Sequence, residues 1–148
     1  MRIFASLVMT GLLLTACGSG DDAYQVDTNF IRLPAPGANM AAAYLTLESE
    51  RDDRLISAEI EGVETTELHT VDMDDGVMRM RQVEGYDVKA GEPLVLKPGG
   101  NHLMLIGIDE PLLEDETRDV TLRFASGDER VLDLPIRKMS ASNGHNHH

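Results

Sequence analysis

Four residues of two soft-donor types stand at a fixed spacing in this sequence. They are His69, Met80, His102 and Met104, which read H-x10-M-x21-H-x-M. Histidine offers an imidazole nitrogen and methionine a thioether sulfur. Two of each make a neutral donor set, which suits soft, monovalent copper(I) in a trigonal or tetrahedral site better than a harder divalent ion. Zinc would usually take thiolate, carboxylate or a third histidine. Thioethers need no deprotonation, so only the two imidazoles make binding pH-dependent, and affinity should fall as pH drops through about 6. Taken singly, each residue has a plainer reading. Methionine fills core gaps, and a lone histidine on an apolar face is more often a core residue than a ligand. The combination of positions is what points to a metal.

The elements that must bring the four together read as strands. Short apolar or alternating runs fall near 24–33, 41–48, 54–61, 63–70, 76–84, 86–88, 94–97, 102–108, 119–125 and 130–137. Turn chemistry separates them, as in Pro34-Ala35-Pro36-Gly37, Asp74-Asp75-Gly76, Lys97-Pro98-Gly99-Gly100 and Ser126-Gly127-Asp128. Short strands with such punctuation predict an all-β sandwich or barrel, and no segment keeps a helical period over three turns. His102 and Met104 lie two apart on one strand face, leaving Leu103 and Leu105 for the other. Met78 and Met80 likewise share a face, with Met78 expected to pack below the site. His69 is placed where its strand enters a turn at Val71–Gly76. Asp72, Asp74 and Asp75 read as the solvated part of that turn, and Met73 as a loop residue able to shield a metal. Three segments must then converge, which the rim of a sandwich allows.

With their contexts "ELHTVDMDDGVMRMRQV" and "LKPGGNHLMLIGI", these positions closely resemble the periplasmic PCuAC-type copper chaperones. All four motif positions match. A weaker likeness runs over residues 24–137 and includes "AAAYLTL" and "VLDLPI". Glu48-Ser49 departs from the asparagine-containing turn of many members and should alter a loop, not the site. The resemblance implies a cupredoxin-like Greek-key β-sandwich that binds one copper(I) through His69, Met80, His102 and Met104 and delivers it to a recipient copper protein, usually cytochrome c oxidase. A copper buffer or resistance protein would need the same site. A metal-free interaction module of the cell envelope would instead bury His102 and Met104 as core. A blue-copper electron carrier needs a cysteine thiolate at the metal. The single cysteine, Cys17, lies far from the motif in sequence.

That cysteine has another use. Residues 1–16 carry Arg2, a short apolar run and then Leu14-Thr15-Ala16 before Cys17, which resembles a bacterial lipobox. The expected product is cut before Cys17, lipidated there, and held by acyl chains on the periplasmic side of a membrane. Gly18 stands where one inner-membrane retention signal has aspartate, and which membrane holds the chain stays open. Residues 17–23 then form the lipidated cysteine and a flexible tether, 24–137 the domain, and 138–148 a disordered tail. In that tail Met139, His145, His147 and His148 could form a second site for copper(II), whose preference is imidazole. Without Arg2 the mature chain has 12 basic residues against 26 acidic, a net charge of −14. Such a chain repels nucleic acid. No Gly-x-Ser-x-Gly elbow or phosphate-cradling glycine loop is present, which argues against an enzyme.

Overall fold

A computed structural model describes residues 23–139 of the chain. The lipobox and all of the tail beyond Met139 lie outside the described residues. Ten strands follow one another: β1 (Tyr24–Arg32), β2 (Met40–Ser49), β3 (Asp53–Ile60), β4 (Val63–Asp74), β5 (Val77–Gln82), β6 (Tyr86–Val88), β7 (Leu94–Leu96), β8 (His102–Ile108), β9 (Thr117–Phe124) and β10 (Glu129–Arg137). They form one hydrogen-bonded path in the order β5-β4-β8-β2-β1-β10-β9-β3-β6, with β7 added on β2. A short parallel pairing of β1 with β10, at Ile31↔Ile136 and Arg32↔Arg137, joins its two halves.

The halves share one core. Leu45, Leu47, Leu103 and Leu105 from the first meet Leu55, Leu122, Phe124 and Leu134 from the second, each at most 2% exposed. Tyr24 of β1 stacks on Phe124 of β9 with ring centroids 4.0 Å apart. The reason lies in the alternation of the sequence: on a strand every second residue faces inward. On β8 this sends Leu103 and Leu105 into the core and leaves His102 and Met104 on the opposite face. The chain changes halves between β2 and β3, β3 and β4, β5 and β6, β6 and β7, and β8 and β9, so no long stretch folds by local pairing alone.

Below the core, Asp53 fixes the start of β3. The Tyr24 hydroxyl donates to its carboxylate at 2.5 Å, and the backbone N–H groups of Arg54 and Ser126 donate at 2.7 and 3.2 Å. Burial alone would raise the acid, but these donors outweigh it and bring Asp53 down to about 2.

The hairpin of β4 and β5 corrects one sequence expectation. β4 does not end near residue 70 but runs to Asp74, and the turn is only Asp75-Gly76. Both turn residues have positive φ, 48° and 79°, the two-residue geometry whose twist matches the flanking strands. Asp72 and Asp74 therefore belong to a strand. They face Arg81 and Arg79 across the hairpin, with ion pairs at 2.5 and 3.2 Å. Met73, read as a loop residue, is a strand residue paired with Met78.

Candidate metal centre

Neighbouring strands carry the four motif positions. β5, β4 and β8 lie side by side, and β2 follows β8. His69 of β4 and His102 of β8 are direct cross-strand partners, so their side chains leave the sheet on the same side. Their ring centroids are 5.6 Å apart in an edge-to-face arrangement. Met104 stands two residues along β8, opposite Glu67 of β4 on one flank and Ala42 of β2 on the other. Met80 of β5 is opposite Val71, again on the face that carries His69. All four positions thus lie on the outward face of one layer, near its edge strand. His69 sits within β4, not at a strand end, and strands rather than rim loops carry the whole set.

A cavity of about 600 Å³ opens on this face. Met80, His102 and Met104 line it, together with Met40, Met78 and Tyr44. His69 is adjacent to His102 but is not part of that lining. Met78 is 59% exposed, which overturns its expected packing below the site. The register explains this: Met78 and Met80 are two apart on an edge strand whose whole length is exposed.

Hydrogen bonds fix both imidazoles. The Lys97-Pro98-Gly99-Gly100 turn has Gly99 at φ 77° and closes with Gly100 N–H donating to the Lys97 carbonyl at 3.0 Å. This is the proline–glycine order of a type II turn. It presents the Gly100 carbonyl to His102 Nδ1 at 2.9 Å. A carbonyl can only accept, so Nδ1 carries the proton and Nε2 keeps its lone pair in the neutral ring. His69 is fixed in the opposite sense. Its Nε2 lies 2.8 Å from the Glu67 carboxylate, which accepts that proton and leaves the lone pair on Nδ1. That Nδ1 is buried and has no hydrogen-bond partner. Buried polar atoms are normally paired, so an orphaned nitrogen beside His102 fits a site that awaits a Lewis acid. A carboxylate holding the far nitrogen of an imidazole is the usual way a ligating histidine is oriented.

A third group acts from the other side of the sheet. Tyr86 of β6, in the opposite layer, crosses the core and places its hydroxyl 2.6 Å from the His69 carbonyl and 2.9 Å from the His102 carbonyl. One proton is shared between two acceptors. Burial disfavours the phenolate and pushes Tyr86 up to about 12.

Among the described residues, no three His, Cys, Asp or Glu side chains gather to hold a metal by themselves. The further donors that line the cavity beside His102 are methionine sulfurs, which favour a soft ion. Sequence reading missed Glu67, Tyr44, Met40 and Tyr86. Glu67 was within reach of a pattern, since it lies two residues before His69 and shares its face. Tyr86 gave no local signal, because its contacts cross between layers.

Comparisons with known proteins agree with this architecture. The model of the family described as LpqE-like lipoproteins matches residues 24–136. Lipoprotein Lxx21020 of Leifsonia xyli subsp. xyli (strain CTCB07) is 29% identical over 129 residues, covering 85% of this chain and 76% of that protein. The solution structure of copper(I)-bound DR1885 from Deinococcus radiodurans is 25% identical, with a TM-score of 0.61 over 80% of this chain and 83% of its own. The copper-bound PCuAC domain from PmoF2 is 18% identical and shares the fold, with a TM-score of 0.66 over 79% of this chain and 94% of its own. The architecture is the cupredoxin-like β-sandwich of PCuAC domains.

Proposed function

The chain belongs to the LpqE-like lipoprotein family, which is of the PCuAC type, and from that premise we propose that it is an extracytoplasmic copper(I) chaperone. It binds one copper(I) through His69, Met80, His102 and Met104 and delivers it to a copper protein, with cytochrome c oxidase as the recipient the family resemblance favours. The observation that carries this reading is the His69–His102 pair: two imidazoles on adjacent strands, each with its tautomer set by a hydrogen bond and one with an orphaned nitrogen. The copper-bound relatives support the same cargo for this chain.

Delivery proceeds by ligand exchange. The two nitrogens are held by Glu67 and Gly100, whereas Met80 sits on an edge strand and is 54% exposed. An incoming donor displaces the thioether first and the imidazoles last. No electron moves, since copper remains monovalent. The anchor is Cys17, lipidated at the membrane, and the recipient is reached on its outer side. The tail residues Met139, His145, His147 and His148 form an auxiliary copper(II) site in this proposal, and deletion of residues 139–148 should lower copper(II) stoichiometry.

The test is titration of the purified mature domain with copper(I) against a chromogenic chelator. One equivalent should be retained, and transfer to an apo recipient domain should outrun passive release. Failure to retain any copper(I) would overturn the proposal. Retention without accelerated transfer would reduce it to a buffer.

A further inference from the structure

We propose that Met73, Met78 and Met80 form a second copper(I) site made only of thioethers, through which the cargo enters or leaves. The inference rests on the chaperone reading above and extends it to residues outside the motif. Its basis is the register of the β4–β5 hairpin. Met73 and Met78 are direct cross-strand partners, and Val71 and Met80 are the next pair on the same face. Directly opposed residues have Cβ atoms about 5 Å apart, and the next residue on the same face is about 7 Å along the strand. Three flexible thioethers can close on one ion over such distances.

The two faces of this hairpin differ in chemistry. One carries the Asp72–Arg81 and Asp74–Arg79 ion pairs. The other carries sulfur. Core filling does not account for the sulfur, because Met73, Met78 and Met80 are 67%, 59% and 54% exposed. Three large apolar side chains kept in solvent on one face gain nothing from burial. As soft neutral donors, however, they match copper(I) and discriminate against the harder cations.

Position completes the case. Met78 and Met80 line the same cavity as His102 and Met104. Met80 therefore belongs to both donor sets. With His69, His102 and Met104 it completes the holding site, and with Met73 and Met78 it forms a trigonal sulfur site nearer the hairpin turn. Passage between them is ligand exchange at constant oxidation state. Copper–nitrogen bonds to the two imidazoles and the bond to Met104 break, and bonds to Met73 and Met78 form. Each displaced donor recovers its lone pair, no methionine gains or loses a proton, and the metal stays monovalent throughout.

The experiment uses the mature chain with its methionine methyl groups labelled by carbon-13, titrated with copper(I) under anaerobic conditions. The first equivalent should shift the Met80 and Met104 methyl signals, and the second, weaker one, finding Met80 already engaged, should shift Met73 and Met78. In parallel, Met73→Leu with Met78→Leu preserves volume and apolarity while removing sulfur. This variant should keep the first equivalent at unchanged affinity, lose the second, and surrender copper(I) to a chelator at least about fivefold more slowly. Silent Met73 and Met78 methyls at two equivalents would overturn the second site while leaving the chaperone reading standing, as would an unchanged release rate in the variant. The latter result would mark the methionines as an apolar contact only. If the first equivalent moves neither Met80 nor Met104, both readings fall together.

Discussion

Tyr86 and His69 belong to opposite layers of the sandwich, yet the phenol hydroxyl of one lies 2.6 Å from the backbone carbonyl of the other. The same hydroxyl reaches the His102 carbonyl at 2.9 Å. A single side chain thus holds the two strands at the level where both imidazoles emerge. Tyr86→Phe keeps the ring in the core and removes the shared proton. The loss of a donor to buried carbonyls should cost about 1–3 kcal/mol, seen as a lower urea midpoint. Copper(I) affinity should fall as well, although residue 86 cannot touch the metal from the other face. Because Tyr86 titrates near 12 when folded and at 10.0 when unfolded, it contributes stability below 10 that is lost as pH rises toward 12. The variant should lack this alkaline loss.

Glu67 tests the orientation of His69. Replacement by Leu removes the acceptor at Nε2 and should lower copper(I) affinity by roughly 10- to 100-fold. Glu67→Gln keeps a carbonyl acceptor and should recover part of the loss. Equal affinity in all three proteins, measured by chelator competition, would deny Glu67 any part in the site.

The thioethers Met80 and Met104 can be removed with little change in volume. The double change to Leu should cost less than about 1.5 kcal/mol in stability. Copper(I) retention should nevertheless be lost. Tight binding by the folded double variant would show that the assigned sulfurs are not ligands.

Asp53 should shape acid stability. Its carboxylate ionises near 2 in the fold against an ordinary value of 3.8, so its contribution is intact above 3.8 and is lost as pH falls toward 2. Asp53→Asn should be less stable near neutrality and should show a shallower decline over that interval. Thermal melts of both proteins between pH 2 and 5 check this.

The positions of most strands are legible because alternation and turn chemistry are local. The run 102–108 has the bounds the sequence predicts, and Leu103 and Leu105 occupy the core face that their alternation predicts. The hairpin was less legible. Three aspartates within Asp72–Asp75 look like a turn when the arginines that pair with two of them lie on the next strand. Within the expected Val71–Gly76 turn only Asp75 and Gly76 carry positive φ values, so the turn is two residues long and β4 extends to Asp74. The exposure of Met78 is hidden from the sequence for a related reason. Apolar residues are expected to find cover, and only the order of strands shows that β5 is an edge with none. Tyr86 could not have been found, since nothing near it in sequence reports contacts made across the core.

The pairing of His69 with His102 is one rung of a backbone ladder whose hydrogen bonds use main-chain groups and no donor side chain. In domains whose metal nucleates the fold, unloading is also unfolding. On the function proposed above the two events are separate, since the shared core, the strand ladder and the Tyr86 bridge between layers hold the fold. On that function, a chain that has released its cargo keeps its shape and is ready for another cycle, because its core and ladder do not depend on the donor side chains. Under the same proposal, a molecule tethered at a membrane and built this way is a reusable carrier whose number of deliveries is set by its lifetime rather than by its rate of synthesis.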